Sequence, residues 1–252
     1  MKTRSLCLAV ASLTLVAGPS CSLLSSQEVT YDMAPQEVSQ NLSQAFAGPT
    51  GTFPEVDCTA SATACSAIPG QLPPSAQITC DAAPTAGKQH CVLHYDITVH
   101  QTINLSQEAS FPTAVTSSPV VNLVTINRVG YWAGPSQKLN VATPPLDLYV
   151  GSSTATTATD PGVEQLGTIA SIPAGAAPSA APDCTAGPAT SAANACDLQL
   201  SPAGTALFST LAKTYTTPFN IIVVGHLSLT GGEPFPAGAL DLFLQPVLGF
   251  QL

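Results

Sequence analysis

Six cysteines placed beyond an N-terminal export signal constrain the fold of this chain more than any other feature of its sequence. Residues 1–21 start with basic residues, continue with an apolar run of about a dozen residues and end in small residues before Cys21, which is the pattern of a secretory signal. The apolar run is too short to span a bilayer core of about 30 Å as a helix. We therefore expect the mature chain to fold outside the cytoplasm, where cysteines form disulfides.

Within this leader, the residues before Cys21 resemble the lipobox of bacterial lipoproteins. Ser20 occupies the small position before the cysteine, whereas Gly18 stands where that family usually has Leu. The resemblance implies that residues 1–20 are removed as a signal peptide. It also implies that the new N-terminal cysteine carries acyl chains such as palmitate and that residues 21–27 form a lipidated tether.

The same resemblance implies an address on a membrane. Two or more acyl chains anchor a protein stably, and Ser22 after the cysteine implies the outer membrane by analogy with enteric lipoproteins. The alternative is ordinary signal-peptidase cleavage near Ala17 or Ser20. That cleavage would leave a free or paired thiol on Cys21 and a periplasmic or secreted protein.

The remaining cysteines predict a covalent framework. Cys7 leaves with the leader, and six cysteines are then available for disulfides: Cys58, Cys65, Cys80, Cys91, Cys184 and Cys196. Spacing favours bonds between neighbours (58 with 65, 80 with 91, 184 with 196), because each pair would clip a segment of small residues that buries little. The sequence contains no Cys-x-x-Cys, so these spacings do not match a zinc site.

The charge of the mature chain excludes one class of partner. Beyond the leader there are four cations and fifteen acids, a formal net charge of −11. Phosphate backbones attract proteins with clustered cations, and this sequence has no such cluster. We therefore expect no nucleic-acid partner. Charged residues are only 8% of the chain, so a surface of Ser, Thr and Gln is expected, which suits half-exposed strands.

Alternation of apolar and polar residues predicts a mainly β fold. The clearest strand is 91–99, where Leu93, Tyr95 and Ile97 face one side while His94 and Asp96 face the other. Further strands are predicted at 28–33, 120–131, 139–141, 146–150, 166–172, 219–229 and 240–244. The turn-rich segments 50–84, 151–162 and 173–196 are predicted to be loops.

Two short helices complete the predicted fold. Val38, Leu42 and Phe46 recur every four residues within 36–46. Ser201-Pro202 is a helix start that precedes a second apolar stripe of the same spacing, formed by Ala203, Leu207, Leu211 and Tyr215 and widened by Phe208 and Ala212. Alternation rather than continuous apolar runs favours antiparallel sheets. The prediction is a single antiparallel β-sandwich of the immunoglobulin-like class over residues 28–252, with long disulfide-clipped loops.

The region from residue 120 to the end contains three further markers. Ile126-Asn127-Arg128-Val129 leads into paired strands, Leu166-Gly167 precedes Ile172-Pro173, and a helix and two strands close the chain. In outline these features resemble the water-stress (WHy) sandwich of late-embryogenesis-abundant proteins, although the Asn-Pro pair typical of that family is absent. The resemblance implies a non-enzymatic protein associated with stress protection.

The four histidines are the main candidates for chemistry. His94 and Asp96 lie on one face of the predicted strand and, with a third ligand, offer the donors that zinc prefers. His90, His100 and His226 are the other histidines. A solvent-facing row of polar residues is the simpler interpretation, and we predict no metal site and no cofactor.

Two other sets of residues admit a functional interpretation. Asp160 and Glu164 flank a Pro-Gly turn and could contribute to a calcium site, but their spacing fits no calcium loop, so a plain acidic turn is favoured. Tyr131 and Trp132 could bind a sugar or a partner, but the lone tryptophan of a domain usually fills its core.

Local motifs for nucleophilic hydrolysis and for phosphate binding are absent from the sequence. The sequence therefore predicts a non-enzymatic cell-envelope lipoprotein, a structural or binding module for a protein or glycan partner, with no catalytic residues. The alternative is an envelope hydrolase whose site is assembled from distant loops.

Overall fold

The structure is a computed structural model that describes residues 28–49, 51–68, 72–82, 87–118, 121–134, 136–174, 184 and 192–252. The leader, Cys21 and the predicted tether lie outside the described residues, as does most of the predicted loop at 173–196.

The described chain is built mainly from strands. The strands are β1 (Glu28–Asp32), β2 (Gln36–Asn41), β3 (Ala76–Ala82), β4 (Gln89–Ile103), β5 (Leu123–Ala133), β6 (Leu146–Ser152), β7 (Glu164–Ile169), β8 (Cys196–Asp197), β9 (Phe219–Leu229) and β10 (Ala239–Gln251). The α-helices are α1 (Leu42–Ala45), α2 (Thr113–Ser117) and α3 (Pro202–Lys213). Short 3-10 turns lie at Ala62–Ala67, Leu105–Gln107 and Ala192–Asn194.

The strands form two antiparallel sheets, as the alternating pattern predicts. In sheet 1, one edge of β10 pairs with β2 over residues 239–244 and with β1 over residues 247–251. The other edge of β10 pairs with β5, and β5 pairs in turn with β8. Sheet 2 has the order β3-β4-β9-β6-β7. Side chains from both sheets, from Tyr31 in β1 to Phe250 in β10, belong to one hydrophobic core.

A bulge in β5 changes which side chains face this core. Asn127 is the extra residue of the bulge and has no register partner on β10, since Leu248 lies opposite Ile126 and Val247 lies opposite Arg128. Even-numbered residues of β5 are buried before the bulge and Val129 is buried after it. The bulge explains why this part of the sequence does not alternate regularly.

The first predicted helix is wrong over most of its length. Residues 36–41 form β2, which pairs with β10, and only one helical turn follows at Leu42–Ala45. The four-residue spacing of Val38, Leu42 and Phe46 nevertheless buries all three side chains. Pairing with β10 gives the backbone of β2 its hydrogen bonds, and this tertiary contact overrides the local helical pattern.

Helix α3 is confirmed, and its most buried residues lie on one side of the predicted stripe. The Oγ of Ser201 accepts a hydrogen bond from the amide of Gly204 at 3.0 Å, and Pro202 opens the helix. Phe208 and Ala212 of the predicted stripe are buried together with Gly204, whereas Leu207, Leu211 and Tyr215 are partly buried against the core and Ala203 is exposed. A Cβ at Gly204 would lie 2.2 Å from the carbonyl oxygen of Gln165, so only glycine permits this close contact with β7.

Two further segments have a structure other than the predicted one. The segment 50–84, predicted as a loop, contains β3. The strand predicted at 139–141 is irregular chain, although Leu139 and Val141 are buried. The amide of Lys138 donates to the carbonyl of Ala239 at 3.1 Å, and Gln137 forms an isolated parallel bridge with Ala239, so this segment runs beside the start of β10 without forming a strand.

Three disulfides are present, as expected for an exported chain, but two of the predicted pairings are wrong. The structure pairs Cys58 with Cys80 and Cys65 with Cys91, and it pairs Cys184 with Cys196 as predicted. The physical reason is that Cys80 and Cys91 lie opposite each other on β3 and β4, and the segment 51–68 crosses over this pair of strands. Each cysteine of that segment therefore bonds to one strand.

Candidate functional site

A surface groove lies between β5 and α3, and we call it the β5–α3 groove. Its volume is about 480 Å3. It is lined by Asn122, Leu123, Val124, Thr125, Ile126, Thr205, Ala206, Ser209, Thr210 and Lys213. These residues are mainly apolar or hydroxylic, and Lys213 is the one charged side chain among them.

The groove exists because β8 leaves the edge of β5 early. Within the described part of the chain, β8 pairs with β5 only at Gly130 and Tyr131. Beyond β8 the chain turns to the other sheet, where the amide of Ser201 donates to the carbonyl of Leu166 at 2.8 Å. Residues 123–128 of β5 therefore have no strand partner on this edge among the described residues.

The side chains at this edge differ in their exposure. Leu123 is 45% exposed, and it is the one large apolar side chain described as exposed. Val124 and Ile126 are buried in the core and fix the position of the strand. At the far end of the open edge, Arg128 forms an ion pair with Asp197 of β8. Unpaired strand edges readily add a further strand, and an exposed apolar side chain beside one favours that contact.

A second candidate lies on the outer face of sheet 2, which we call the His94 network. Nδ1 of His94 lies 3.0 Å from Oγ of Ser228, and Nε2 lies 2.7 Å from Oδ2 of Asp81 and 2.9 Å from Oγ1 of Thr79. These residues come from β3, β4 and β9. With Nε2–H donating to the carboxylate, Nδ1 accepts the hydroxyl hydrogen of Ser228.

The His94 network is electrostatically coupled. The hydrogen bond from His94 is the main cause that holds the pKa of the Asp81 carboxyl below its ordinary value, with a second hydrogen bond from Thr79 acting in the same direction. The side chains of His94 and Asp81 are 40% and 41% exposed, so solvent screens this interaction. A histidine placed between a hydroxyl and a carboxylate has the order of groups used in nucleophilic hydrolysis.

His94 and Asp96 lie on the same strand, but each contacts a different partner on a neighbouring strand. Asp96 contacts His226 of β9 instead, with 2.6 Å between Oδ1 and Nδ1. His90 lies 4.0 Å from Glu55, and His100 is exposed on β4. Among the described residues, no three His, Asp or Glu side chains lie close enough together to hold a metal ion, so the predicted zinc alternative at His94 gains no third ligand.

Asp160 has a local structural role. Its Oδ2 accepts hydrogen bonds from the amides of Thr156 and Thr157 at 2.7 and 2.9 Å, and these amides lower the pKa of its carboxyl. Glu164 is exposed at the start of β7. This geometry fits the plain acidic turn rather than the calcium alternative.

The two aromatic candidates are buried. Tyr131 is 5% exposed and Trp132 is 6% exposed, and the indole stacks on Phe243 at 5.5 Å between ring centroids. The interpretation of Trp132 as a core residue is therefore confirmed. An aromatic platform for a sugar is not available at these residues.

Sequence reasoning missed Asp81, Ser228 and the role of Asp241. The alternation of 219–229 places Ser228 on the face of His226, but no local signal connects either residue with Asp81. Asp241 lies between the core residues Leu240 and Leu242 of β10 and is itself buried, and its Oδ2 accepts a hydrogen bond from the amide of Ser136 at 2.9 Å.

Comparisons with protein-family models, with curated proteins and with solved structures give no match to this chain. Among the described residues, none of the helices combines the length and apolar character needed to cross a membrane.

Proposed function

We propose that this protein is a non-enzymatic cell-envelope lipoprotein that binds an extended segment of another polypeptide in the β5–α3 groove. The observation that carries this proposal is the edge of β5 beside the exposed Leu123, where no strand among the described residues pairs. The fold proposed for it is a sandwich of the immunoglobulin-like class over residues 28–252, similar to the WHy type, and the core shared by the two sheets supports this architecture.

Backbone geometry supports a strand as the occupant of the groove. β8 already pairs with this edge in an antiparallel sense at Gly130 and Tyr131, so a partner strand would continue an existing ladder. Main-chain hydrogen bonds supply affinity in strand addition, and alternate side chains supply specificity. Apolar side chains of the partner would pack on Leu123 and Ala206, both of which line the groove.

Charge supports an acidic residue in that partner. Lys213 lines the groove, and it is one of only four cations in the mature chain. Its ammonium group would attract a carboxylate of the partner. A glycan partner is less well supported, because the groove has no aromatic lining and because Tyr131 and Trp132 are buried.

A photo-crosslinking amino acid at Leu123 tests the groove in intact cells. We expect an adduct with a polypeptide, and we expect Ala206→Arg to reduce its yield at least about tenfold, equivalent to about 1.4 kcal/mol of binding free energy. Thr159→Arg is the matched control, because Thr159 is exposed on a loop outside the groove. An adduct that survives Ala206→Arg unchanged, or the lack of any polypeptide adduct, would contradict the proposal.

The proposed address depends on the lipid at Cys21. The order of basic, apolar and small residues before this cysteine supports export and acylation. Acyl chains would hold the protein on the membrane, most simply the outer membrane, through a tether of only a few residues, about six, so the groove would act close to the membrane surface.

Labelled palmitate tests the address independently of the groove. We expect label in the wild-type protein and none in Cys21→Ala, together with the corresponding difference in intact mass. Cys7→Ala is the control, because this cysteine leaves with the leader and its loss should not change labelling. An unlabelled wild-type protein would show that Cys21 is not an anchor and would favour the periplasmic or secreted alternative.

The alternative function, an envelope hydrolase, is favoured by one specific observation. Ser228, His94 and Asp81 form a continuous chain of hydrogen bonds, with a nucleophile, a base and a group that orients the base. The network lies on the outer face of sheet 2, however, and none of its residues lines the β5–α3 groove. A site for hydrolysis also needs donors for the developing oxyanion, and the further hydroxyl of this network, that of Thr79, already donates to Asp81 at 2.9 Å.

Fluorophosphonate labelling separates the two functions, because this reagent modifies serines that an adjacent base activates. The proposed binding function predicts no labelling of Ser228 and no hydrolysis of p-nitrophenyl acetate above the rate of a His94→Ala variant. His100→Ala serves as the control, since His100 is an exposed histidine of the same strand. Labelling of Ser228 that His94→Ala abolishes and His100→Ala preserves would establish the hydrolase instead.

A further inference from the structure

Four cysteines of the two interleaved disulfides lie in one cluster. The sulfur atoms of Cys58, Cys65 and Cys80 all lie within 4.8 Å of one another, and Cys91 is bonded to Cys65. A tetrahedral metal ion with metal–sulfur bonds of about 2.3 Å holds its sulfur ligands about 3.8 Å apart. Three of the four sulfurs therefore already lie close together, and the fourth, that of Cys91, is one bond from Cys65.

We propose that reduction of both disulfides converts this cluster into a site for one soft metal ion, with Cys58, Cys65, Cys80 and Cys91 as ligands. Thiolate ligands select ions such as Zn(II), Cd(II) and Cu(I) over the hard ions Ca(II) and Mg(II). The site is distinct from the β5–α3 groove and does not depend on the proposed function.

The chemistry of this conversion balances with an ordinary dithiol reductant. Each disulfide takes up two electrons and two protons and becomes two thiols, while the dithiol is oxidised to its own disulfide. Binding of one divalent ion by the four thiols then releases four protons and forms four metal–sulfur bonds. The oxidised protein offers no thiolate at this cluster, so binding is gated by reduction.

The backbone around the cluster is held by contacts that do not require the disulfides. The amide of Cys58 donates to the carbonyl of Gln89 at 3.0 Å, and the amide of Cys91 donates to the carbonyl of Val56 at 3.0 Å. Cys80 lies opposite Cys91 in the ladder of β3 and β4. These contacts anchor the backbone at Cys58, Cys80 and Cys91 without the disulfides, so three of the four ligands stay near one another after reduction.

Burial favours metal binding by the reduced cluster. Cys58, Cys65 and Cys91 are buried, whereas Cys80 is half-buried and gives a reductant access to one sulfur. Thiolates packed together in an apolar environment repel one another and lose hydration, which raises their free energy. A bound cation neutralises them, and this provides a driving force that separate surface thiols lack.

The third disulfide provides an internal control. Cys184 and Cys196 are bonded to each other, and no third metal-ligating side chain stands with them among the described groups. Reduction of this disulfide therefore yields two thiols, which is fewer than the three or four protein ligands of typical zinc sites.

The test is a cobalt titration of the mature chain after reduction by a phosphine, which is then removed. We expect one equivalent of Co(II) to bind with thiolate charge-transfer and tetrahedral ligand-field absorption, and we expect Zn(II) to displace it. Cys58→Ser/Cys80→Ser should weaken binding more than about a hundredfold, since loss of even an outer-shell partner costs about 10–100-fold. Cys184→Ser/Cys196→Ser should bind as the wild type does.

Wild-type protein before and after reduction provides a comparison that needs no substitution. Far-ultraviolet circular dichroism of the reduced protein checks that the strands persist. The proposal is overturned if the reduced wild type gives no tetrahedral thiolate spectrum, if the oxidised protein gives the same spectrum, or if the Cys58→Ser/Cys80→Ser variant binds as tightly as the wild type.

Discussion

Two interleaved disulfides hold a segment that has no strand of its own, residues 51–68, against the edge of sheet 2. The chain-entropy model assigns each of these bonds about 3 kcal/mol, because their loops of 22 and 26 residues would otherwise be free in the unfolded chain. The same segment reaches the turn before β10, where the amide of Phe53 donates to the carbonyl of Glu233 at 2.7 Å. It therefore connects sheet 2 with the final strand of sheet 1.

The aromatic packing of the core follows from this connection. The ring of Phe53 lies 6.0 Å from that of Phe235, Phe235 lies 6.4 Å from Phe46, and Phe46 lies 4.9 Å from Tyr95 of β4. This chain of contacts runs from the clipped segment through the end of α1 to sheet 2. A chain with few charges has little help from ion pairs, so covalent clips and apolar packing stabilise it instead.

The sequence was sufficient for the parts of the fold that depend on local pattern. Alternation predicted β4, β9 and β10, and the Ser201-Pro202 pair predicted the start of α3. The sequence was not sufficient where one element is fitted to another. At Gly204 the backbone of α3 approaches that of β7 too closely for a side chain, and at Asn127 the pairing of β5 with β10 has a bulge. Neither feature leaves a periodic signal in the sequence.

The candidate sites show the same division between local and long-range information. Alternation placed His94 and Asp96 on one outer face, but their actual partners, Asp81 and His226, belong to other strands. The β5–α3 groove arises because β8 leaves the edge of β5 after two residues, which no composition or spacing indicates. In the same way, the sequence indicated which six cysteines form disulfides. It could not indicate that residues 51–68 cross β3 and β4, and this crossing decides the pairing of four of them.

Disulfide mapping of the unreduced protein tests whether residues 51–68 are bonded to both β3 and β4. Proteolysis near Leu72 and at Asp81 separates the chain into one peptide with Cys58 and Cys65, a second with Cys80 and a third with Cys91. With interleaved bonds, all three peptides stay covalently joined until a reductant is added. Release of the first peptide alone, with the second and third joined to each other, would show bonds between sequence neighbours and would contradict the interleaved pairing.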